Sequence, residues 1–148
     1  MQVKALHNYL RGAIPLVDSM QVVTRAAGPD EVVLSAPLAP NVNHQDTAFG
    51  GSIAALATLA CWGWLWTHLR ESGADARLVV ARSEIDYLKP LTTELIARCG
   101  APAAAELNAF DKRFAGRKRA RIVLRASVED TQGILCARYS GVFVADER

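Results

Sequence analysis

Hydrophobic and polar residues alternate along most of the chain, and one long stretch breaks that alternation. From Thr47 to Leu69 there is no Asp, Glu, Lys or Arg, which predicts a helix from about Gly51 to Arg70 that is apolar on all sides. A stretch of this length could also cross a membrane. Because it contains Thr, Ser and His and is flanked by amphipathic segments that need a packing partner, we interpret it as the buried centre of a soluble domain, with a membrane-associated protein as an alternative.

Period-two patterns on both sides of this helix predict six strands. Two precede the helix, at 20–28 and 31–38, and four follow it, at 77–88, 93–99, 119–130 and 134–145. In the third strand the pattern predicts one apolar face, formed by Val79, Ala81, Ile85 and Tyr87. Shorter helices are predicted at 3–10 and 103–113, the second ending before Gly116.

One helix that is apolar all round needs cover on most of its surface. A strongly curved antiparallel sheet wrapped around the helix supplies that cover. The sequence therefore predicts an α+β hotdog fold, and a chain of 148 residues suits one such domain.

Composition and charge narrow the classes of function. Apolar residues make up 51% of the chain and the net charge is only +2, which indicates a globular protein without a global field for nucleic acid. The basic run KRFAGRKRAR (112–121) has no aromatic residue besides Phe114, so its simplest interpretation is a solvated loop. Neither nucleic acid nor a membrane is an expected partner.

The chain has three cysteines, Cys61, Cys99 and Cys136. Their number is odd and no pair has the spacing of metal ligands or of a redox motif. We expect three separate buried thiols in a reducing cytoplasm.

The segment NHQDTAFGGS (43–52) places polar residues directly before the apolar helix. The first turn of a helix has N–H groups without internal partners and a positive potential. Gly50 and Gly51 would let a ligand approach this backbone closely, so that an oxyanion forming there is stabilised. In the alternative interpretation, Asp46 or Thr47 caps the helix.

The segment NHQDTAFGGSIAALA resembles the N-x-x-x-T-x-H-G-G segment of hotdog acyl-thioesterases of the phenylacetate type. EIDYLKP (84–90) resembles the third hotdog strand, and 116–144 resembles the last hairpin, with a late Gly in the final strand. More narrowly, APNVNHQDTAFGGSIAALATLACWGWLW resembles the thioesterase family typified by the YiiD C-terminal domain, through the spacing of Asn41 and Asn43 and the T-x-F-G-G-S pattern.

This resemblance implies an enzyme that hydrolyses the thioester of an acyl-CoA or an acyl carrier protein. Its site would lie between the subunits of a homodimer or homotetramer, and no metal or redox cofactor is implied. Gly51 matches the glycine whose amide faces the thioester carbonyl, and Asn43 matches the polar residue that holds the water or the thioester. The chain differs at Phe49, where the phenylacetate-type enzymes have His, and at Thr58, where they have a helix carboxylate.

Asp46 is the nearest carboxylate in sequence that could replace the missing one, as a general base or a nucleophile. We expect the catalytic residues to be Asn43, Asp46, Gly51 and Thr58, although a Thr in an apolar helix commonly bonds its own backbone. His44 is a further candidate base.

Substrate contacts are expected at Thr47, Phe49 and Gly50. We also expect the basic residues Arg117, Lys118 and Arg119 to meet coenzyme A phosphates or the acidic surface of a carrier protein. An acyl-CoA-binding hotdog protein without turnover, which the missing helix carboxylate favours, and a hotdog dehydratase are the alternatives.

Overall fold

The structure is a computed structural model that describes residues 2–148. Four α-helices, α1 to α4, lie at Gln2–Ala13, Leu16–Met20, Gly50–Glu71 and Ala104–Arg117. Six strands, β1 to β6, lie at Val23–Ala27, Glu31–Ala36, Ala76–Tyr87, Leu95–Gly100, Arg119–Glu129 and Leu135–Glu147. The predicted order of two strands, one long helix and four strands is therefore confirmed.

All six strands form one antiparallel sheet in the order β1-β2-β4-β5-β6-β3. Helix α3 contacts every one of them, and its buried residues lie around its whole circumference. This is the predicted hotdog arrangement. Within residues 2–148, no helix has both the length and the apolar character needed to cross a membrane.

Helix α1 covers the side of α3 that the sheet leaves open. The Tyr9 ring stacks on the Trp66 ring with 4.5 Å between centroids, and Trp62 donates a hydrogen bond to the Tyr9 hydroxyl. Gly63 permits this close approach, because a Cβ atom there would lie 3.0 Å from a methyl carbon of Leu6. The tryptophans of α3 thus serve packing.

A bulge in β3 makes the predicted apolar face of that strand wrong. Val80 pairs with Phe143, but the next paired residue is Arg82, opposite Val142, so Ala81 is an extra residue. The side chains after the bulge change faces relative to simple alternation. Val80 rather than Val79 consequently shares the core face with Ile85 and Tyr87.

Strands β4 and β5 pair only along the second half of β5, from Ala126 to Glu129. Helix α4 lies beside the first half of β5 and buries Phe110 and Phe114. It continues to Arg117, beyond the predicted end at 113, and Lys118 then closes it in the left-handed conformation at φ 60°. Much of the basic run is therefore helix end and strand start, and the solvated-loop interpretation is wrong.

The three cysteines are free and buried, as predicted. Cys61 and Cys99 are neighbours rather than separate. Burial raises the pKa of the Cys61 thiol well above its usual value, and the thiol of Cys99 raises it further. Burial also raises the pKa of Cys136. Thiols held protonated in this way are poor nucleophiles.

Candidate functional site

The N-terminus of α3 has no side-chain cap. Phe49 occupies the N-cap position with an extended backbone, and among residues 2–148 no side chain accepts a hydrogen bond from the amides of the first turn. The alternative interpretation, in which Asp46 or Thr47 caps the helix, is therefore wrong. Among residues 2–148, no acceptor meets the amides of Gly50, Gly51 and Ser52, so this helix end keeps its donors and its positive potential.

Three hydrogen bonds fix the start of α3 to distant parts of the chain. The amide of Ala48 donates to the Leu91 carbonyl at 2.8 Å, and the amide of Phe49 donates to the Asn41 carbonyl at 2.7 Å. From the end of β3, the Tyr87 hydroxyl donates to the Gly50 carbonyl at 2.9 Å. The first turn of α3 is thereby held in place before any ligand binds.

Asn43 organises the polar loop that leads into α3. Its Oδ1 accepts hydrogen bonds from the amides of Gln45 (2.8 Å) and Thr47 (3.1 Å), and its Nδ2 donates to the Thr47 hydroxyl at 2.8 Å. This is an Asx turn. Asn43 therefore has a clear structural role within one chain, in addition to the contact with water or thioester that the resemblance implies.

Asn41, the other half of the N-x-N pattern, is buried. Its Nδ2 donates to the carbonyls of Met20 (2.9 Å) and Pro37 (2.8 Å). It fixes the loop to α2 and to the end of β2, and so belongs to the support of the site.

A cleft of about 330 Å³ opens beside the free N-terminus of α3. Its volume lies within the range of small-ligand sites. The helix side contributes Thr47, Ala48, Gly50 and Ile53, and the opposite wall is the segment Tyr87 to Leu91 at the exit of β3. Two predicted substrate contacts, Thr47 and Gly50, therefore meet in one cleft.

Phe49 covers Gly51. The Phe49 side chain belongs to a residue that is 56% exposed, yet a Cβ atom on Gly51 would lie only 2.4 Å from its Cε2 atom. Position 51 thus requires glycine as long as the ring rests there. The predicted substrate contact Phe49 is an apolar side chain at the edge of the helix N-terminus, where His would stand in the phenylacetate-type enzymes.

The other predicted catalytic residues lie outside the cleft lining of a single chain. Thr58 donates its hydroxyl to the Ala54 carbonyl at 2.8 Å, which is the backbone bond expected of Thr in an apolar helix. Asp46 is exposed and has a left-handed backbone, with φ 62°. Among residues 2–148 its carboxylate has no ion-pair or hydrogen-bond partner, and His44 beside it is exposed as well.

The predicted phosphate contacts lie where α4 passes into β5. Lys118 approaches Glu147 at 4.0 Å, and Arg119 lies opposite Asp146 in the sheet. Arg117 is exposed at the end of α4. None of the three lines the cleft at α3.

None of the site residues predicted from the sequence lies in the far wall of the cleft. Tyr87, Leu88 and Lys89 line it, and Lys89 brings an ammonium group to a site that already carries the positive helix end. The signal was present in EIDYLKP, because this segment resembles the third hotdog strand. The segment packs against Gly50 only through contacts in the folded chain, so the sequence alone does not predict this wall of the cleft.

The chemistry open to this arrangement follows from its donors. Free amides at a helix N-terminus, next to a cation, polarise a carbonyl group and stabilise negative charge that forms on its oxygen. Among the apolar residues of the cleft lining, Leu88 is 41% exposed and offers contact to an acyl chain, while Ile53 and Leu91 are buried behind the surface.

Comparisons with known proteins agree with this reading. Residues 3–147 match the model of a family described as "putative thioesterase (yiiD_Cterm)". A protein of unknown function from Chlorobaculum tepidum TLS is 27% identical, with a TM-score of 0.92 over 99% of this chain and 94% of that one. A "putative thioesterase" from Shewanella oneidensis is 28% identical, with a TM-score of 0.84 over 98% of this chain and 97% of that one.

A third solved structure extends the likeness in fold alone. It is a Pseudomonas aeruginosa protein described as a "probable thioesterase", 19% identical, with a TM-score of 0.82 over 98% of this chain and 96% of that one. Because the family model covers nearly the whole chain, this protein belongs to the thioesterase family defined by the C-terminal domain of YiiD.

Proposed function

We propose that this protein hydrolyses the thioester of an acyl-CoA or an acyl carrier protein at the N-terminus of α3. The observation that carries the proposal is the uncapped first turn of α3, whose amides have no acceptor among residues 2–148 and whose Gly50 lines a cleft of about 330 Å³. The thioester carbonyl would receive hydrogen bonds from the amides of Gly50 and Gly51. These bonds strengthen as the carbonyl becomes an oxyanion.

Asp46 is the proposed general base. It directly precedes Thr47, which lines the cleft, and its exposed carboxylate is free of other partners within the described chain. The Asx turn of Asn43 holds this loop in one conformation. A water between Asp46 and the carbonyl would lose its proton to the carboxylate as it attacks. The water oxygen bonds to the carbonyl carbon, the C–S bond then breaks, and the leaving sulfur takes the proton back from Asp46, which leaves a carboxylic acid and a free thiol.

The site is proposed to lie between two subunits. Strand β3 is an edge of the sheet, and it exposes Val79, Val80 and Tyr87, the last of which lines the cleft. Exposed apolar edge strands favour pairing with another strand. A second copy along β3 would enclose the cleft and could bring further groups to it.

A binding protein without turnover is the second candidate. The observation that favours it is that, within the described residues 2–148, no carboxylate lines the cleft. Release of free thiol from a panel of acyl-CoAs separates the two candidates. We expect steady release over many turnovers. Stoichiometric binding of acyl-CoA without thiol release would overturn hydrolysis and leave the binding protein.

A further inference from the structure

Four arginines form a line across the outer face of the sheet. Arg121 and Arg125 alternate with buried residues along β5, and Arg138 is exposed on β6 between two buried neighbours. Arg113 joins them from α4. We refer to Arg113, Arg121, Arg125 and Arg138 as the arginine strip.

The divergence of β4 from β5 opens the groove in which the strip begins. The first half of β5, before Ala126, has no β4 neighbour, and α4 lies beside it instead. Between them is a cleft of about 350 Å³, lined by Arg113, Arg121 and Arg125. Arg125 and Arg138 also line a second cleft of about 740 Å³. Since Arg125 belongs to both, the two clefts adjoin.

The arginines of the strip form no salt bridge within the described chain. None of the ion pairs found within 4.0 Å among residues 2–148 involves an arginine of the strip. One strand away, by contrast, Arg98 is held by Glu129 at 2.7 Å and by Glu31 at 3.7 Å. Three carboxylates border the clefts without pairing to the strip: Glu84, Asp86 and Glu106.

The strip is too long for one small anion. Arg138 lies opposite Ser127, so the strip runs along β5 from position 121 to the level of 127, which is about 20 Å at about 3.3 Å per residue. A phosphate or carboxylate group engages one or two guanidinium groups. Four guanidinium groups over this distance are complementary to an extended acidic surface.

The strip also ends near the proposed site. Arg138 lies opposite Asp86 in the sheet, and the next residue, Tyr87, points to the core face and lines the cleft at α3. The strip and the cleft thus lie on opposite faces of the sheet but meet at the exit of β3, and a protein bound along the strip would lie next to that exit.

We propose that the arginine strip docks an acidic carrier protein that delivers the acyl thioester to the cleft at α3. This inference rests on the proposed thioesterase function and selects the protein-borne thioester over free acyl-CoA. Binding would be steered by charge, with the strip raising the rate of encounter. The proposal also places the carrier contact at Arg121 and Arg125, farther along β5 than the contacts predicted at Arg117, Lys118 and Arg119.

The test compares one acyl group on two carriers, coenzyme A and a phosphopantetheinylated acyl carrier protein. The variant is Arg121→Glu with Arg125→Glu. The matched control is Lys4→Glu with Arg11→Glu, which makes the same change of charge on α1, a helix packed against β1 at the opposite edge of the sheet.

We expect the strip variant to lower kcat/KM for the carrier-protein substrate by about tenfold or more at low salt, and to alter that for acyl-CoA by less than about twofold. The difference should shrink as salt rises, and the control should behave like the wild type. An equal loss on both substrates would assign the strip to phosphates of free coenzyme A. No loss of kcat/KM on either substrate would mean that the strip is a solvated face. Both results overturn the inference while the proposed function stands.

If the wild type hydrolyses neither thioester, the proposed function fails. Titration calorimetry with the acylated carrier protein then tests whether the strip binds that protein. Binding to the wild type that the strip variant loses would support the docking surface. Equal binding to both proteins, or none to the wild type, would overturn it.

Discussion

At the scale of single residues, the main feature of the candidate site is that position 58 on α3 holds a threonine and not a carboxylate. Thr58 stands where the resemblance to phenylacetate-type thioesterases leads us to expect a helix carboxylate, and its hydroxyl donates to the Ala54 carbonyl. Asp46 lies in a different place, in a loop with a left-handed backbone, φ 62°. If catalysis needs a carboxylate here, the loop rather than the helix has to supply it.

We expect Asp46→Asn to lower kcat by about a hundredfold, the scale on which loss of a general base is felt. The thermal midpoint should stay unchanged, because Asp46 is exposed and Asn tolerates a left-handed backbone as well as Asp does. Both quantities are measured on the same preparation, with saturating acyl thioester for kcat.

Asp30→Asn, another exposed aspartate, serves as the control and should retain full activity. Thr58→Ala should also have little effect, since its hydroxyl already bonds the helix backbone. A near-normal kcat for Asp46→Asn would exclude Asp46 as the base. His44, or a water held by Asn43, would then be the next candidate.

At the scale of elements, the start of α3 brings together three segments that are distant in sequence. Its position depends on Asn41, Tyr87 and Leu91, each of which bonds the residues from Ala48 to Gly50. Such an arrangement presents backbone amides in a fixed direction, and the first turn of α3 itself contains no charged residue. The proposed oxyanion stabilisation would therefore come mainly from the helix amides, with Lys89 nearby in the cleft lining.

We expect Gly51→Ala to reduce kcat, towards the roughly hundredfold loss that follows removal of one oxyanion donor. The new methyl group would displace the Phe49 ring, which lies 2.4 Å from the Cβ position, and both groups would then crowd the amides of the first turn. Stability should hold or rise, because Ala is favoured over Gly in a helix by roughly 0.5–1 kcal/mol.

Gly116→Ala is the matched control for this change. Gly116 lies near the end of α4, and a Cβ atom there would meet nothing within 4 Å. It should raise the thermal midpoint without any effect on turnover. Full activity of Gly51→Ala would contradict the placement of the reacting carbonyl against the Gly51 amide.

The elements were predictable from the sequence to the extent that local pattern determines them. Alternation in β5 and the uncharged run of α3 mark both elements, and the need to cover α3 implies the curved sheet. The bulge at Ala81 and the uncapped N-terminus of α3 depend on pairing with β6 and on bonds from remote loops. The same holds for the cleft wall at Tyr87 and for the arginine strip, which assemble only in the folded chain.

At the scale of the whole molecule, the two edges of the sheet differ. Strand β1 has five residues and packs against α1. Strand β3 has twelve, most of them exposed, and pairs only with β6. An uncovered edge of this length is a surface for pairing with another strand. Antiparallel pairing centred on Ser83 would also set Arg82 of each copy against Glu84 of the other, on one face of the joined sheet.

We expect the wild type to sediment as a dimer or larger oligomer at micromolar concentration, and Val80→Lys to shift it to monomer. Val80 is 37% exposed on the core side of β3, so a lysine there remains hydrated in one chain but loses water in a paired edge. Because the site is proposed to lie between subunits, turnover should fall as the dimer dissociates and recover in part at high protein concentration.

Val23→Lys is the control, since Val23 is also 37% exposed but lies on β1. It should leave both assembly and turnover intact. A wild type that sediments as a monomer and turns over fully would place the complete site within one chain, and a dimer equally sensitive to both lysines would place the interface elsewhere than β3.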